Sequence, residues 1–521
     1  MAAPDTQADQ GTGIAGRALD TPDPHYANRW WVLVILATAQ LMVVLDATIV
    51  NIALPHAQAA LGFSNSDRQW IVTGYSLAFG SLLLLGGRFA DFFGRKRMFV
   101  IGVVGFAAAS AFGGAAQNFA MLLTGRVIQG AFGALLAPAT LSLLTTTFTD
   151  SAERAKATGI YGAIAGGGAS VGLLLGGVLT QYLDWRWVMY VNVLIAVIAL
   201  VGAMALLRHV PTGSRPKLDI VGALLAAGGL FSLVYGFSHA SQETGSKGWT
   251  EPVTLGTLAA GAVLLVLFVL VERRIAHPLL PLRVVLDRNR GGAYLAMFLA
   301  AIGMFGVFLF LTYYLEDTLR YSAVTTGVAF LPLTGMLVLT AAGGSSVVLS
   351  RVSARLLVPA GLLMSAVGLA LLTRISLHSD YASDVLPTLL IMGAGMGLTF
   401  APSFSLGTFG VASSDAGVAS ATLNVAQQIG GSVGTSLLNT IATTAAASYV
   451  TAHIAVVRSA SSQAAAAAAQ RAVEANGLLH SYHVVFWVAA GIFVGAAVLI
   501  ALLLRSGPAA DSDSSAVAVH V

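Results

Sequence analysis

Two charged residues, Asp46 and Arg126, stand inside stretches that are otherwise apolar. A charge held within a membrane span costs roughly 2.5–3.5 kcal/mol on insertion scales, so one that is retained there is a candidate for ion or proton chemistry. With the first apolar run rising from residue 30 to 54, Asp46 lies eight residues, ~12 Å, below its far end. With the fourth run descending from 120, Arg126 lies six residues, ~9 Å, below the same surface. The matching depths allow the two to pair if their helices touch. A guanidinium favours the carboxylate and burial favours the neutral acid, so proton binding at Asp46 is expected to depend on Arg126. The alternative is a static buried pair that fixes helix register. Glu316 and Asp317 end the ninth run. Glu316 precedes Arg320 by four residues, the spacing of a surface ion pair, with a gate or a cation-attracting vestibule as the other reading.

Other chemistries lack their residues. No GxxxxGK[ST] occurs, so the chain does not drive transport with ATP, and HExxH is absent. The ten His fall in tails, loops or run ends, with His56, His277 and His378 as examples. The lack of Cys excludes disulfides and thiolate metal sites. No metal, no cofactor and no enzymatic activity are therefore expected. The net charge of +4 comes without any basic run longer than Arg95, Lys96 and Arg97, which argues against nucleic acid.

The elements that must carry the two charges are membrane spans. Only 10% of the 521 residues are charged and 56% are hydrophobic, against roughly 25% charged in soluble domains. Apolar runs bounded by charges or Pro predict fourteen transmembrane helices: 30–54, 69–88, 97–116, 120–146, 157–181, 186–207, 218–239, 253–272, 291–315, 324–349, 355–374, 385–409, 416–447 and 481–504. Continuous apolarity, as from Leu255 to Val271, excludes the alternating pattern of a membrane β-barrel. The expected class is an all-α polytopic membrane protein. Of the 27 Lys and Arg, 19 fall on the side of the N-terminus, seven on the other and Arg126 within a span, which predicts that both termini are cytoplasmic. Residues 1–29 and 506–521 read as disordered cytoplasmic tails without a cleavable signal. Residues 448–480 read as the longest outer loop, of low complexity, whose Ala-rich centre could form a helix outside the membrane. The 57 Gly, for example Gly393, Gly395 and Gly397, fit close helix packing.

Several motifs then resemble a known family. Gly87, Arg88, Phe89, Ala90, Asp91, Phe92, Phe93, Gly94, Arg95, Lys96 and Arg97 resemble the loop between the second and third spans of the major facilitator superfamily, with a degraded echo from Ser350 to Arg355. The run from Leu45 to Pro55, which holds Asp46 and Asn51, resembles the first-span motif of its fourteen-helix drug:proton antiporters. Leu123 to Gly130 with Gly133 and Pro138 is similar to the fourth-span motif, whose Arg is implicated in proton transfer. Trp185, Arg186, Trp187 and Asn192 resemble the sixth-span entry. Asp415, Gly417, Ser420, Asn424, Gln427, Gln428, Gly430, Gly431 and Gly434 resemble the thirteenth span. The fifth span keeps Gly168, Gly172, Gly176 and Gly177, but Leu173 stands where the antiporter motif carries Pro, so the expected kink is missing. Asn192 is likewise followed by Val193 where relatives often have Pro.

The resemblance implies an N-terminal six-helix bundle (30–207), two inserted helices (208–272) and a C-terminal six-helix bundle (273–505) that rock about a central cavity. It implies export of lipophilic or cationic drugs across the bacterial cytoplasmic membrane in exchange for protons, by a monomer in the bilayer. Proton coupling would rest on Asp46 and Arg126, with Glu316 as a further acid. A cytoplasmic gate would use Gly87, Asp91, Gly94, Arg95, Arg97 and Asp415, with Asp91 meeting the start of the thirteenth span after Ser413 and Ser414. Asn51, Tyr75, Phe79, Tyr161, Met304, Phe305, Phe308, Phe400 and Phe404 are the candidate cavity lining for flat lipophilic compounds. A proton-coupled importer of a small organic solute, and a non-transporting sensor or lipid-handling protein, are the alternative functions. Under the gate reading, Asp91→Asn is expected to lower transport further than Arg97→Gln. Equal losses in a vesicle transport assay would leave Asp91 with a role in topology only.

Overall fold

The computed structural model describes residues 28–63, 65–207, 219–242, 247–275, 278–344, 352–412, 415–458 and 462–505. The two terminal tails, Ser350 and Arg351 of the echoed motif, His277, Ser413 and Ser414, and the side chain of Asn51 lie outside this description. The described chain is helical throughout its spans. Its helices of 17 residues or more are α1 (Arg29–Leu61), α2 (Asn65–Phe93), α3 (Arg95–Gly114), α4 (Phe119–Thr147), α5 (Ser151–Tyr182), α6 (Trp187–Leu206) and α7 (Ile220–Gln242). They continue as α8 (Pro252–Glu272), α9 (Arg288–Tyr313), α10 (Ala323–Leu339), α11 (Ala354–Leu372), α12 (Leu386–Thr408), α13 (Ala416–Arg458) and α14 (Gln463–Leu503).

Each helix satisfies its own backbone groups, as a chain in hydrocarbon must. The ends are set by short polar side chains. Asn118 accepts from the Met121 N–H at 2.9 Å and Asp150 from the Glu153 N–H at 2.8 Å, opening α4 and α5. Gly94, at φ 96°, allows the abrupt reversal between α2 and α3. With Leu173 in place of Pro, α5 is helical from Ser151 to Tyr182.

Twelve of the described helices are long and apolar enough to cross a membrane. The other two long helices, α5 and α13, face protein. α5 packs on α1, α10 and α12, and α13 packs on α2, α9 and α14. Lipid-facing helices show the reverse. On α6, Leu194, Val197, Ile198, Val201 and Met204 are all more than half exposed, at the i, i+3, i+4, i+7 spacing of one helical face. Such an exposed apolar stripe requires a hydrocarbon surround.

Helices α1 to α6 pack among themselves and α9 to α14 do likewise. The two groups meet through α2 against α13 and through α5 against α10 and α12, while α7 and α8 pair and lean on α2 and α13. In the segment 448–480 the Ala-rich centre is helical, as the sequence allowed, and the helices on both sides run into it. α13 continues to Arg458 and α14 begins at Gln463, so most of this segment is helical hairpin, held by Tyr449 stacked on His453 at 4.0 Å and near His480 at 5.3 Å. Ala, with the highest helix propensity, turns the low-complexity tract into helix once a neighbour is present.

Close approach of α1 and α5 depends on a glycine row. A side chain at Gly168 would strike Val44, at Gly172 it would strike Thr48, and at Gly176 it would strike Ile49. Gly172→Val is therefore expected to destabilise by about 1–3 kcal/mol through overpacking, whereas Gly491→Ala, which meets nothing within 4 Å, is neutral or slightly stabilising. Thermal unfolding of the purified protein in detergent reads the difference.

Candidate functional site

Asp46 and Arg126 meet. Arg126 Nη1 donates to Asp46 Oδ2 at 2.5 Å, with the two side chains 0% and 1% exposed. Isolated, either charge would be untenable in so dry a place. The surrounding helices complete the set. Gln129, one turn below Arg126 on α4, donates to Asp46 Oδ1 at 2.7 Å and accepts from Arg126 Nη1 at 2.6 Å. Asn192 of α6 donates to the same Asp46 oxygen at 2.8 Å. Ser110 of α3 accepts the second Gln129 N–H at 2.6 Å. On the α2 side, Arg126 Nε reaches the Ile71 carbonyl at 3.5 Å, and the guanidinium lies 4.3 Å from the centre of the Tyr75 ring.

Five of the first six helices thus converge on one neutral ion pair. Charge-assisted hydrogen bonds of this kind are the strong ones. Two polar atoms are left over: Tyr75 Oη and Asn192 Oδ1 are buried without a hydrogen-bond partner among the described residues. Asp46 has no exposed surface, so anything that exchanges with its carboxylate must wait for the helices to move.

A second charged cluster lies where the two helix groups cross. Asp91, near the end of α2, accepts from the Gly417 N–H at 3.0 Å and the Val418 N–H at 3.3 Å, the first turn of α13. It therefore caps a helix of the other group, where the peptide dipoles favour a negative charge. Gly87 makes this possible, since a side chain there would meet the Gly417 carbonyl and Ala421. Arg95 stands 3.8 Å from Asp91. Asp415, just before α13, faces Arg88 at 3.8 Å and accepts from Arg283 at 2.7 Å. Arg97 takes no part in this cluster: it is exposed, in a shallow outer groove with Val100, Ile101 and Met204.

Glu316 does not pair with Arg320, contrary to the i, i+4 reading. Tyr314–Thr318 form a π turn and Arg320 sits at φ 59°, so the α-helical spacing is lost. The aromatic candidates fall in three places rather than one. Tyr75 and Phe79 stack at 5.7 Å beneath Arg126. Tyr161 meets Phe404 edge-on at 5.6 Å across the α5–α12 contact, with Phe400 also fully buried, and its hydroxyl donates to Gln40 of α1 at 2.7 Å. Met304, Phe305 and Phe308 lie on α9, where Phe308 packs on Phe330 at 5.0 Å and Phe305 against Gly431.

Sequence reasoning quoted Gln129 and Asn192 only as motif letters and passed over Ser110, Gln40 and Arg283. A polar amide in an apolar run was the available signal for the first two. Arg283 carried none, because a basic residue near a span end reads as topology.

The fold and these clusters define a multi-pass helical membrane protein with a charge pair sealed between helices and a charged crossing between two helix groups. The comparisons agree with that class. The sequence model of the Major Facilitator Superfamily matches residues 36–435. The chain is 46% identical to the puromycin resistance protein pur8 of Streptomyces alboniger over 96% of each chain. It is 38% identical to the cephamycin export protein CmcT of Amycolatopsis lactamdurans, over 78% of this chain and 84% of the relative. Among solved structures, the proton:xylose symporter XylE shares the fold at 13% identity, with a TM-score of 0.58 over 92% of this chain and 97% of that one. The chain belongs to the major facilitator superfamily.

Removing one partner of a buried pair leaves an uncompensated charge, at a cost of about 3–5 kcal/mol, while removing both is far cheaper. Arg126→Leu is expected to lower the unfolding temperature in detergent markedly, and the double substitution Asp46→Leu/Arg126→Leu to regain most of the loss. Additive losses would show that the pair contributes no mutual compensation.

Proposed function

We propose that this protein is a secondary active transporter that exports lipophilic or cationic small molecules, drugs among them, across the bacterial cytoplasmic membrane in exchange for protons. The observation that carries the reading is the sealed Asp46–Arg126 pair. It is the one ion pair at 0% and 1% side-chain exposure among the described residues, and it sits deep in a helix bundle. Puromycin resistance and cephamycin export, for which two relatives are named, support export as the direction.

In this reading all fourteen long helices span the bilayer, with both termini cytoplasmic, as the Lys and Arg distribution supports. Helices α1 to α6 and α9 to α14 form the two rocking bundles, with α7 and α8 inserted between them. A proton arriving at Asp46 removes the charge that holds Arg126. The guanidinium then retains the Gln129 amide oxygen, the Ile71 carbonyl and the Tyr75 ring. A cationic substrate competes with that proton for the same carboxylate, so release of one favours uptake of the other. The Asp91 contact with the start of α13 closes the cytoplasmic side, and its separation opens that side. Leu173, where the antiporter motif has Pro, does not alter this scheme, because the α1–α5 contact rests on the glycines.

The test is transport of a fluorescent lipophilic cation into everted vesicles. Flux is expected to require an imposed pH gradient and to vanish in Asp46→Asn, with vesicles lacking the protein as background. Flux unchanged in Asp46→Asn would move coupling to another acid such as Glu316. Uptake into intact cells that rises as the external pH falls would favour the importer.

A further inference from the structure

Away from the Asp46 site, two buried acids face each other at one end of the α7–α8 pair. Asp219 precedes α7 and Glu272 ends α8, and they are 8% and 4% exposed. Their oxygens converge on Gly222: a side chain there would strike both Asp219 Oδ2 and Glu272 Oε1. Asp219 Oδ1 accepts the Gly222 N–H at 2.8 Å. Its other oxygen is buried and has no hydrogen-bond partner among the described residues.

Asp219 Oδ2 and Glu272 Oε1 both stand within 3.0 Å of the same point, where a side chain on Gly222 would begin, which brings the two carboxyl groups together. Two carboxyl groups can hydrogen-bond only if one of them carries a proton, and two like charges so close cannot both stay ionised without strain. Among the described residues no cation pairs with either acid. Ala223, beside Gly222, and Leu279, whose N–H reaches Glu272, belong to an apolar cluster that also holds Phe268 of α8. Arg273 and Arg274 follow Glu272 but form no ion pair with either acid among the described residues, and Arg88 and Arg283 face Asp415 instead.

We propose that Asp219 and Glu272 form a proton-binding site, one shared proton between two carboxylates, that latches the connection between α8 and α9 to the charged crossing of α2 and α13. The latch is made by the Glu272 oxygens, which accept the N–H groups of Leu279 and Leu280 at 3.1 Å each. Three residues beyond Leu280, Arg283 donates to Asp415, the residue just before α13. With the proton bound, the acids stay together and the segment from Leu279 to Arg283 is held. As pH rises and the proton leaves, the two carboxylates repel, the Leu279 and Leu280 amides lose their acceptors, and Arg283 is freed from its fixed approach to Asp415. The site is independent of Asp46, and its test needs no transport.

Infrared difference spectra of the full-length protein in lipid nanodiscs, taken between mildly acidic and alkaline pH, report protonated carboxyl groups directly. A carboxyl C=O band is expected at acid pH that is lost at alkaline pH, is absent from both Glu272→Gln and Asp219→Asn, and persists in Asp46→Asn. Hydrogen exchange of the Leu279 and Leu280 amides should lose protection as pH rises in the wild type and become insensitive to pH, beyond the intrinsic rate, in Glu272→Gln. If Glu272→Gln fails to fold, Asp219→Asn carries both readouts. A band unchanged in both variants would overturn the proposal. So would a band removed by sodium or calcium chloride at constant pH, which would make the pair a metal-cation site.

Discussion

A carboxylate and a guanidinium sealed in a low-dielectric interior govern how five of the first six helices are arranged. Neither charge is tolerable there alone, and together they hold only if every remaining polar contact is made at short range. Gln129, Asn192 and Ser110 supply these contacts from three helices. The glycines beside the charges decide whether those side chains can reach. Gly125, just before Arg126, lies against Gly113 of α3, and Gly130, just after Gln129, lies against the Tyr75 carbonyl of α2. Gly172 presses on Thr48, two residues from Asp46, and so sets the height of the carboxylate. Close packing and charge compensation are one constraint here, because hydrogen bonds of 2.5–2.8 Å leave no room for a looser bundle.

The crossing between the two helix groups is built on a different principle. Asp91 is satisfied by two backbone N–H groups at a helix start rather than by a single buried cation, with Arg95 at 3.8 Å, while Arg88 stands 3.8 Å from the neighbouring Asp415. Such contacts are directional and short in range, so a small sliding of α13 breaks them together. Farther along the chain, α5 meets α10 where Gly177 faces Val324 and Gly327 faces Leu174. These are smooth contacts between small and aliphatic groups, which separate without stranding a polar atom. The rocking proposed for the two helix groups would be served by polar latches at one place and apolar, glycine-lined surfaces at another.

Much of this organisation was legible beforehand, and the failures have physical causes. Asp46 and Arg126 were visible because charge in hydrocarbon is conspicuous, and their depths were calculable because helical rise is constant. Asp91 was visible through the glycines around it. The aromatic residues were not separable into cavity and core, since Tyr161, Phe400 and Met304 have the same hydropathy whether they face a ligand or a neighbouring helix. The pairing of Glu316 with Arg320 failed because a π turn is a backbone choice imposed by packing, not by local propensity. The helical extension of α13 and α14 was hidden for a similar reason: the Ala-rich tract acquires a fixed place only against a partner helix.

What the sequence determined by itself is what depends on transfer from water to hydrocarbon and on local spacing: an all-helical membrane chain, the approximate limits of its long helices, and the few ionisable residues inside them. Only the tertiary structure decided which of those residues meet. Gln129 and Asn192 converge on Asp46 from positions 83 and 146 residues away in the chain, and Arg283 joins Asp415 across 132. Asp219 and Glu272, separated in sequence by the whole α7–α8 hairpin, meet at one end of it. No periodicity encodes such meetings, because they arise from how close two helices may approach, and that is set by the side chains on both.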